Sequence, residues 1–591
     1  MGGMLIAYGP CMLNRFFPDL VQYRLPWLRF DFTAALAVTF MAVPQGIAYA
    51  MIAGLPPATG LFAGAIPTII GSLLRSSSHV VTGPTNALSL LVGTAVAATA
   101  TDDPTEAALV LALMVGAFQL GAGLLKLGAI VDYISSSVVA GYITGAGLLI
   151  GIGQLKNLTG TDGARGNVYD QMLAWIEGLG GTNFTSVALG IGTAIAILLM
   201  RLLPWKLPTA IIVLGLGVVG SWLFDLGQYG VALARDIAPV PMGFPPLTVP
   251  SVGAFSMELI PIAVAGTVLS LVESSAVARS IASRTGQRLS SDQEFVGQGA
   301  ANLVAGLFGG YPTSGSLSRS ALNERAGARS RLGGVMAGIM MVLVLLVLGP
   351  IVDLTPIPVL AGLLLIVAVD LVDIRKIRAI LSGDLGDKLA FVFTLLGTWI
   401  VSLETAIYIG VGISIILFLR RARQIVVHKL LLDGDRFREA QFSEPDQQLA
   451  AIRVLHVEGS LFFGAASELA DAIDDAIADP AVKVLIVRLK RTHGLDYTTA
   501  TALDAAHTRM VNEGRHMLLV GLLPEAMKLL ERVGVADHFG RENLYPTRKR
   551  WFDAMDAALA DAMERVGEVE GRAALEAYLR ARRNQFEEAA V

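Results

Sequence analysis

Apolar runs about as long as the ~20 residues that cross a hydrocarbon core recur along most of this chain, among them Phe32–Met51, Ala107–Leu125 and Leu332–Leu348. Runs and breakers together predict about fourteen spans. They lie at 32–52, 57–75, 84–100, 106–125, 130–152, 184–203, 209–224, 255–280, 293–308, 316–326, 332–350, 357–371, 387–402 and 404–419. After Arg423 the period shortens: "RVLHVEG", "VKVLIVRL" and "HMLLVGLL" are strand-like, and Glu468–Ala478, Ala500–Asn512 and Glu525–Arg532 are helical. That alternation predicts a small α/β domain. The expected division is an N-terminal segment 1–30, a membrane part 31–423, an α/β domain 428–566 and a charged, Ala-rich tail 567–591 that reads as solvated.

The basic residues orient the chain independently of hydropathy. With the N-terminus inside, the inner connections carry Arg75, Lys126, Arg201, Lys206, Arg284, Arg288, Arg325, Arg329, Arg331, Arg375, Lys376, Arg378, Arg420, Arg421 and Arg423. The outer ones are nearly free of them, as in the acidic "TDDPTE" at 101–106, with Lys156, Arg165 and Arg235 as exceptions on longer segments. This predicts both ends in the cytoplasm of a multi-pass membrane protein, with the α/β domain on the same side.

Composition agrees. The chain is 54% hydrophobic and 16% charged, against about 25% charged in an average soluble protein, and its mean hydropathy is +0.61. That excludes a soluble enzyme with one ordinary core. The 63 glycines suit close helix packing. A single cysteine, Cys11, excludes an internal disulfide or a multi-cysteine metal site, and the net charge of −4 argues against a nucleic-acid partner. Met1–Leu13, broken by Pro10, reads poorly as a cleavable signal.

Two spans are interrupted by polar and helix-breaking residues. In "GGYPTSGSLSRS" at 309–320, Gly309, Gly310 and Pro312 prevent a continuous helix, so a new one starts near Ser314–Ser316. In "VVTGPTNALS" at 80–89, Gly83 and Pro84 do the same, with Asn86 and Ser89 following. Irregular backbone at membrane depth must be buried in protein or line a wet cavity. Paired broken spans in the two halves point to an inverted repeat with a site at its interface, where each helix start brings about +0.5 charge. An anion suits that geometry. Arg319, in the first turn of the second broken span, is either part of an anion site or reaches cytoplasmic water or a carboxylate. Glu273, inside another apolar span, is either a titratable coupling group or half of a fixed salt bridge. Gln45 and Tyr49, one helical turn apart beside Pro44, either line the cavity or bond between helices.

These motifs resemble the SulP group of sulfate-permease, SLC26-type anion transporters. The resemblance is carried by "PQGIAYA" at 44–50, "GLPPATGLF" at 54–62, "SSSHVVTGPTNALSL" at 76–90 and "QEFVGQGAANLVAGLFGGYPTSGSLSRS" at 293–320. It implies fourteen spans in two inverted repeats of seven, core and gate domains as in uracil-permease-type proteins, a cytoplasmic STAS domain, and commonly a homodimer. By the same resemblance the anion lies between the third and tenth spans. Carried over residue by residue, it would be held by Gln45, Tyr49, Thr85, Asn86, Ser316, Leu317, Ser318 and Arg319. Position 85, often aromatic in animal relatives, is Thr here. Glu273 matches the acidic residue linked to proton coupling, whereas Leu269 stands where some bacterial relatives carry theirs. In the STAS segment Tyr497 replaces the Ser that soluble anti-sigma antagonists often phosphorylate, so a folding, dimer or docking role is expected there. The resemblance therefore implies a secondary active anion transporter, not an enzyme, using no cofactor and moving protons with sulfate, bicarbonate or a dicarboxylate. An uncoupled exchanger or channel on the same scaffold is the competing expectation, and a bacterial inner membrane the expected location.

Overall fold

The computed structural model describes residues 23–98, 103–161, 168–202, 209–251, 255–347, 349–401, 403–433, 436–441, 449–547, 553–567 and 575–580, with positions 444, 573 and 582. Most of the predicted segment 1–30, Cys11 included, lies outside the described residues. The chain divides into two compact units, Met1–Ile415 and Ile416–Val591.

The first unit is helical. Its main elements are α1 (Leu28–Ile52), α2 (Pro57–Ala63), α3 (Ile66–Leu74), α4 (Asn86–Ala98), α5 (Pro104–Leu124), α6 (Ser136–Gly153), α7 (Phe184–Leu202), α8 (Thr209–Phe224) and α9 (Leu259–Thr285). They are followed by α10 (Ser291–Leu307), α11 (Leu317–Arg325), α12 (Leu332–Val347), α13 (Ile357–Leu371), α14 (Leu385–Ile400) and α15 (Leu403–Arg423), inside which the division falls. Among the described residues seven helical segments are long and apolar enough to cross a membrane, and four shorter helices are also apolar. The expected span 57–75 is two helices, α2 and α3, because the chain changes direction at Gly64–Ala65 before Pro67. The expected span 130–152 becomes α-helical only at Ser136, after a 3-10 turn over Gly128–Tyr133, and Ser135 caps the helix by accepting from Ser137 N–H. Pro44 is absorbed within α1, which runs on unbroken.

Two sets of helices pack mainly among themselves. In one, α5 and α3 lie against α10, and α12 against α1 and α3; in the other, α6 packs on α13 and α14, and α7 on α13. Glycine allows the closest approach, since a Cβ at Gly116 of α5 would sit 2.6 Å from the Leu303 amide nitrogen of α10. Between the breaker residues and the short helices runs a two-residue antiparallel ladder, β1 (Thr82–Gly83) with β2 (Ser314–Gly315), pairing Thr82 with Gly315 and Gly83 with Ser314.

The second unit is a six-stranded sheet in the order β4 (Arg436–Ala440), β3 (Val426–Asp433), β5 (Ile452–Ser460), β6 (Val484–His493), β7 (His516–Leu522), β8 (Leu544–Pro546). Strands β5 to β8 are parallel, and β3 is antiparallel to both its neighbours. Alternation along the strands divides the core. Leu455, Val457, Leu485 and Leu519 face α16 (Ala466–Ile477), α17 (Tyr497–Asn512) and α18 (Pro524–Arg532). Val454, Ile486 and Leu518 face α19 (Asp553–Val566). Tyr497 opens α17 and is exposed. The expectation of a solvated tail is corrected at two positions. Leu575 and Tyr578 are buried against this second face, where the Tyr578 ring meets Phe437 edge-on, because their i, i+3 spacing gives the segment one apolar stripe.

Candidate functional site

Breaking both spans beside one another leaves backbone inside protein without helical partners, and the surrounding side chains supply them. The Ser316 amide donates to Val81 O at 3.0 Å and the Val81 amide to Ser320 Oγ at 2.9 Å, extending the ladder at its Val81 end. Thr68 Oγ1 donates to Thr82 O at 2.7 Å. α9 presents Ser270, Glu273 and Ser274 on one face. Ser314 Oγ donates to Ser270 O at 3.0 Å, and Glu273 accepts from Thr85 Oγ1 at 3.1 Å. α9 thus ties strand β2 and the entry to α4 together.

The ladder brings together the starts of α4 and α11. Ser316 caps α11: its Oγ faces the Arg319 amide and its carbonyl accepts from the Ser320 amide. That leaves the amides of Leu317 and Ser318 as the orphan donors of the first turn. Leu317 and Ser318 are exposed, Leu317 at 60%, and Gln45, Asn86 and Glu273 are partly so. Directly behind them Arg319 is only 1% exposed. Its guanidinium donates to Pro84 O and lies against Gly83, whose missing Cβ would sit 2.9 Å from Arg319 Cζ. Among the described residues Arg319 forms no ion pair and its Nε–H has no partner. A buried cation with no ion-pair partner among the described residues, behind the exposed first turn of α11, has the chemistry to receive an anion.

Within the membrane unit the chain matches the sulfate permease family over residues 28–394. The protein belongs to that family. A match to the STAS domain covers residues 446–550. The putative sulfate transporter YvdB of Bacillus subtilis (strain 168) is 26% identical over 90% of this chain and 98% of its own. The probable sulfate transporter 4.2 of Arabidopsis thaliana is 27% identical over 87% of this chain and 79% of its own. Among solved structures, the murine anion transporter Solute Carrier 26 family member A9, in its inward-facing state, superposes with a TM-score of 0.83 at 19% identity, covering 94% of this chain and 95% of that one. The transmembrane domain of the cyanobacterial bicarbonate transporter BicA gives 0.58 at 23% identity, covering 66% and 97%. Those likenesses establish a shared fold: a multi-pass helical membrane domain followed by an α/β STAS domain.

Within this family member the residues singled out from sequence converge. Gln45 Nε2 donates to Ser318 Oγ at 3.4 Å, and Ser318 Oγ lies 3.3 Å from Ser316 Oγ. Tyr49 is buried within electrostatic range of Arg319 and Glu273. Gln45 therefore bonds between helices, from α1 to α11. Asn86 opens α4 directly after Thr85, and its Oδ1 folds back to accept from the Ala87 amide at 2.8 Å. Sequence reasoning missed Tyr311, fully buried with its hydroxyl 3.0 Å from Ser89 Oγ, and Tyr142, whose hydroxyl donates to Ala87 O at 3.1 Å. It also missed the stripe Glu294, Gln298 and Asn302 on α10. Polar residues at i, i+4 and i+8 of an otherwise small, apolar helix were the available signal.

Proposed function

We propose that this permease is a secondary active transporter of a small anion of the sulfate, bicarbonate or dicarboxylate class, working by alternating access between its two sets of helices. The carrying observation is Arg319, buried without an ion-paired carboxylate among the described residues beneath the exposed first turn of α11. The amides of Leu317 and Ser318 and the hydroxyls of Ser316 and Ser318 supply donors. Gln45 orients the cluster through Ser318, while Tyr49, Thr85 and Asn86 complete its wall. Proton symport is assigned to Glu273, a partly exposed carboxylate at the same junction. The charge pattern supports cytoplasmic termini in a bacterial inner membrane, with a membrane domain 31–423, a STAS domain 428–566, and a homodimer as assembly.

One observation favours the alternative of an uncoupled exchanger or channel. Glu273 is held by the Thr85 hydroxyl at 3.1 Å, as a fixed anchor would be. Proteoliposomes given radiolabelled sulfate, bicarbonate or succinate, with and without an inward proton gradient, separate the two. Uphill uptake that is lost in Glu273→Gln supports symport. Saturable flux indifferent to the gradient in the wild type supports the alternative, and no flux of any of the three anions ends the anion-transport assignment.

A further inference from the structure

Thr313, the residue before β2, is gripped harder than satisfying its backbone requires. Its carbonyl accepts from Gln298 Nε2 at 2.8 Å, Asn302 Nδ2 at 3.1 Å and Ser270 Oγ at 3.0 Å. Its amide and its Oγ1 both donate to Asn302 Oδ1, at 2.6 and 2.8 Å. Asn302 Nδ2 is braced in turn by Gln119 Oε1 of α5 at 2.7 Å. Ser270, Gln298, Asn302 and Gln119 are all at 0% exposure. One donor would remove the cost of burying a carbonyl that has two lone pairs. Three donors from two helices also fix where that carbonyl sits. From Thr313 the chain is extended through the ladder to the cap Ser316, so its position passes to the first turn of α11 and to Arg319.

We infer that Gln298 and Asn302 are positioning residues for the anion: they touch no substrate but set the location of the α11 tip and hence the permease's affinity. The inference rests on the anion site assigned above. The bland alternative is that the side chains only satisfy buried backbone. The two differ in kinetics. A site held in the wrong place binds its anion more weakly, whereas a fold defect lowers the amount of active protein and leaves KM unchanged.

The test uses the full chain in proteoliposomes with radiolabelled sulfate and bicarbonate as probes. Gln298→Met keeps the volume and gives up the Nε2 donor, which serves Thr313 O at 2.8 Å and, more weakly, Thr313 Oγ1 at 3.4 Å, while Gln298 Oε1 has no partner among the described residues. Its KM is expected to rise about threefold to tenfold, the worth of the shorter hydrogen bond, with kcat per folded protein within about twofold. Asn302→Leu removes the remaining clamp and is expected to raise KM further; if it does not insert, Gln298→Met decides alone. An unchanged KM in Gln298→Met, with or without lost protein, overturns the positioning role while leaving the anion site standing. Absent wild-type flux of both probes, or flux unaltered by Arg319→Gln, overturns the site and the positioning role together.

Discussion

Arg319 lies against Gly83 from the other side of the two-stranded ladder and donates to the next carbonyl, that of Pro84. The contact joins the two broken segments, and it makes the absence of a side chain at position 83 a condition for the cation to be where it is.

Gly83→Ala is therefore expected to push the guanidinium aside. With a Cβ 2.9 Å from Arg319 Cζ something must shift, and apparent anion affinity should fall about tenfold or more while membrane insertion persists. Transport KM measured alongside detergent-stable yield checks this; equal KM values would refute the contact's importance.

Replacing the cation itself should cost more. On the proposed site Arg319→Gln removes the charge offered to the anion, a loss of about 2–5 kcal/mol if the pair is desolvated, or some thirtyfold upward in Kd. Arg319→Lys retains charge but lacks the planar fork that serves Pro84 O, and should fall between the two. Isothermal titration in detergent with sulfate or bicarbonate reads both.

At the other end of the α10 stripe, Glu294 pairs with Arg75 at 3.4 Å, with the two side chains 3% and 0% exposed. Glu294 also accepts from Ser76 Oγ and the Ser77 amide, each at 2.7 Å. Glu294→Gln leaves Arg75 buried without its counter-charge, and the expected destabilisation is about 3–5 kcal/mol. A lowered Tm in thermal-shift measurements on purified protein is the check, and an unchanged Tm refutes it.

The STAS unit should loosen in acid. Burial, reinforced by Arg488, holds His456 below the usual histidine range, against the opposing pull of Glu458. The hydrogen bond from Arg491 holds Glu458 below the usual carboxylate range. Both groups bind protons more tightly when unfolded. The His456 contribution is present above the unfolded histidine value of about 6.5 and is lost as pH falls below it. The Glu458 contribution follows at lower pH, lost as pH falls through its depressed value. Hydrogen exchange of the β5–β7 amides in the full chain should quicken relative to intrinsic rates between about pH 7 and pH 4; flat protection across that range would contradict this.

Much of this protein was legible in the sequence because its causes are local. Long apolar runs announce helices in lipid wherever they occur, and the Gly–Pro interruptions at 83–84 and 309–312 stop helices through the chain's own dihedral limits and missing donors. The α/β alternation after Arg423 is equally local, as is the cap that Ser316 gives α11. Only the tertiary structure decided which polar groups meet. Arg319 and Pro84 are 235 positions apart, Arg75 and Glu294 219, and no propensity acting over a few residues selects such pairs. The grip on Thr313 and the burial of Leu575 and Tyr578 were likewise hidden. An amide side chain reads the same in sequence whether it faces water, lipid or a single buried carbonyl, and its role is set by what packing brings against it.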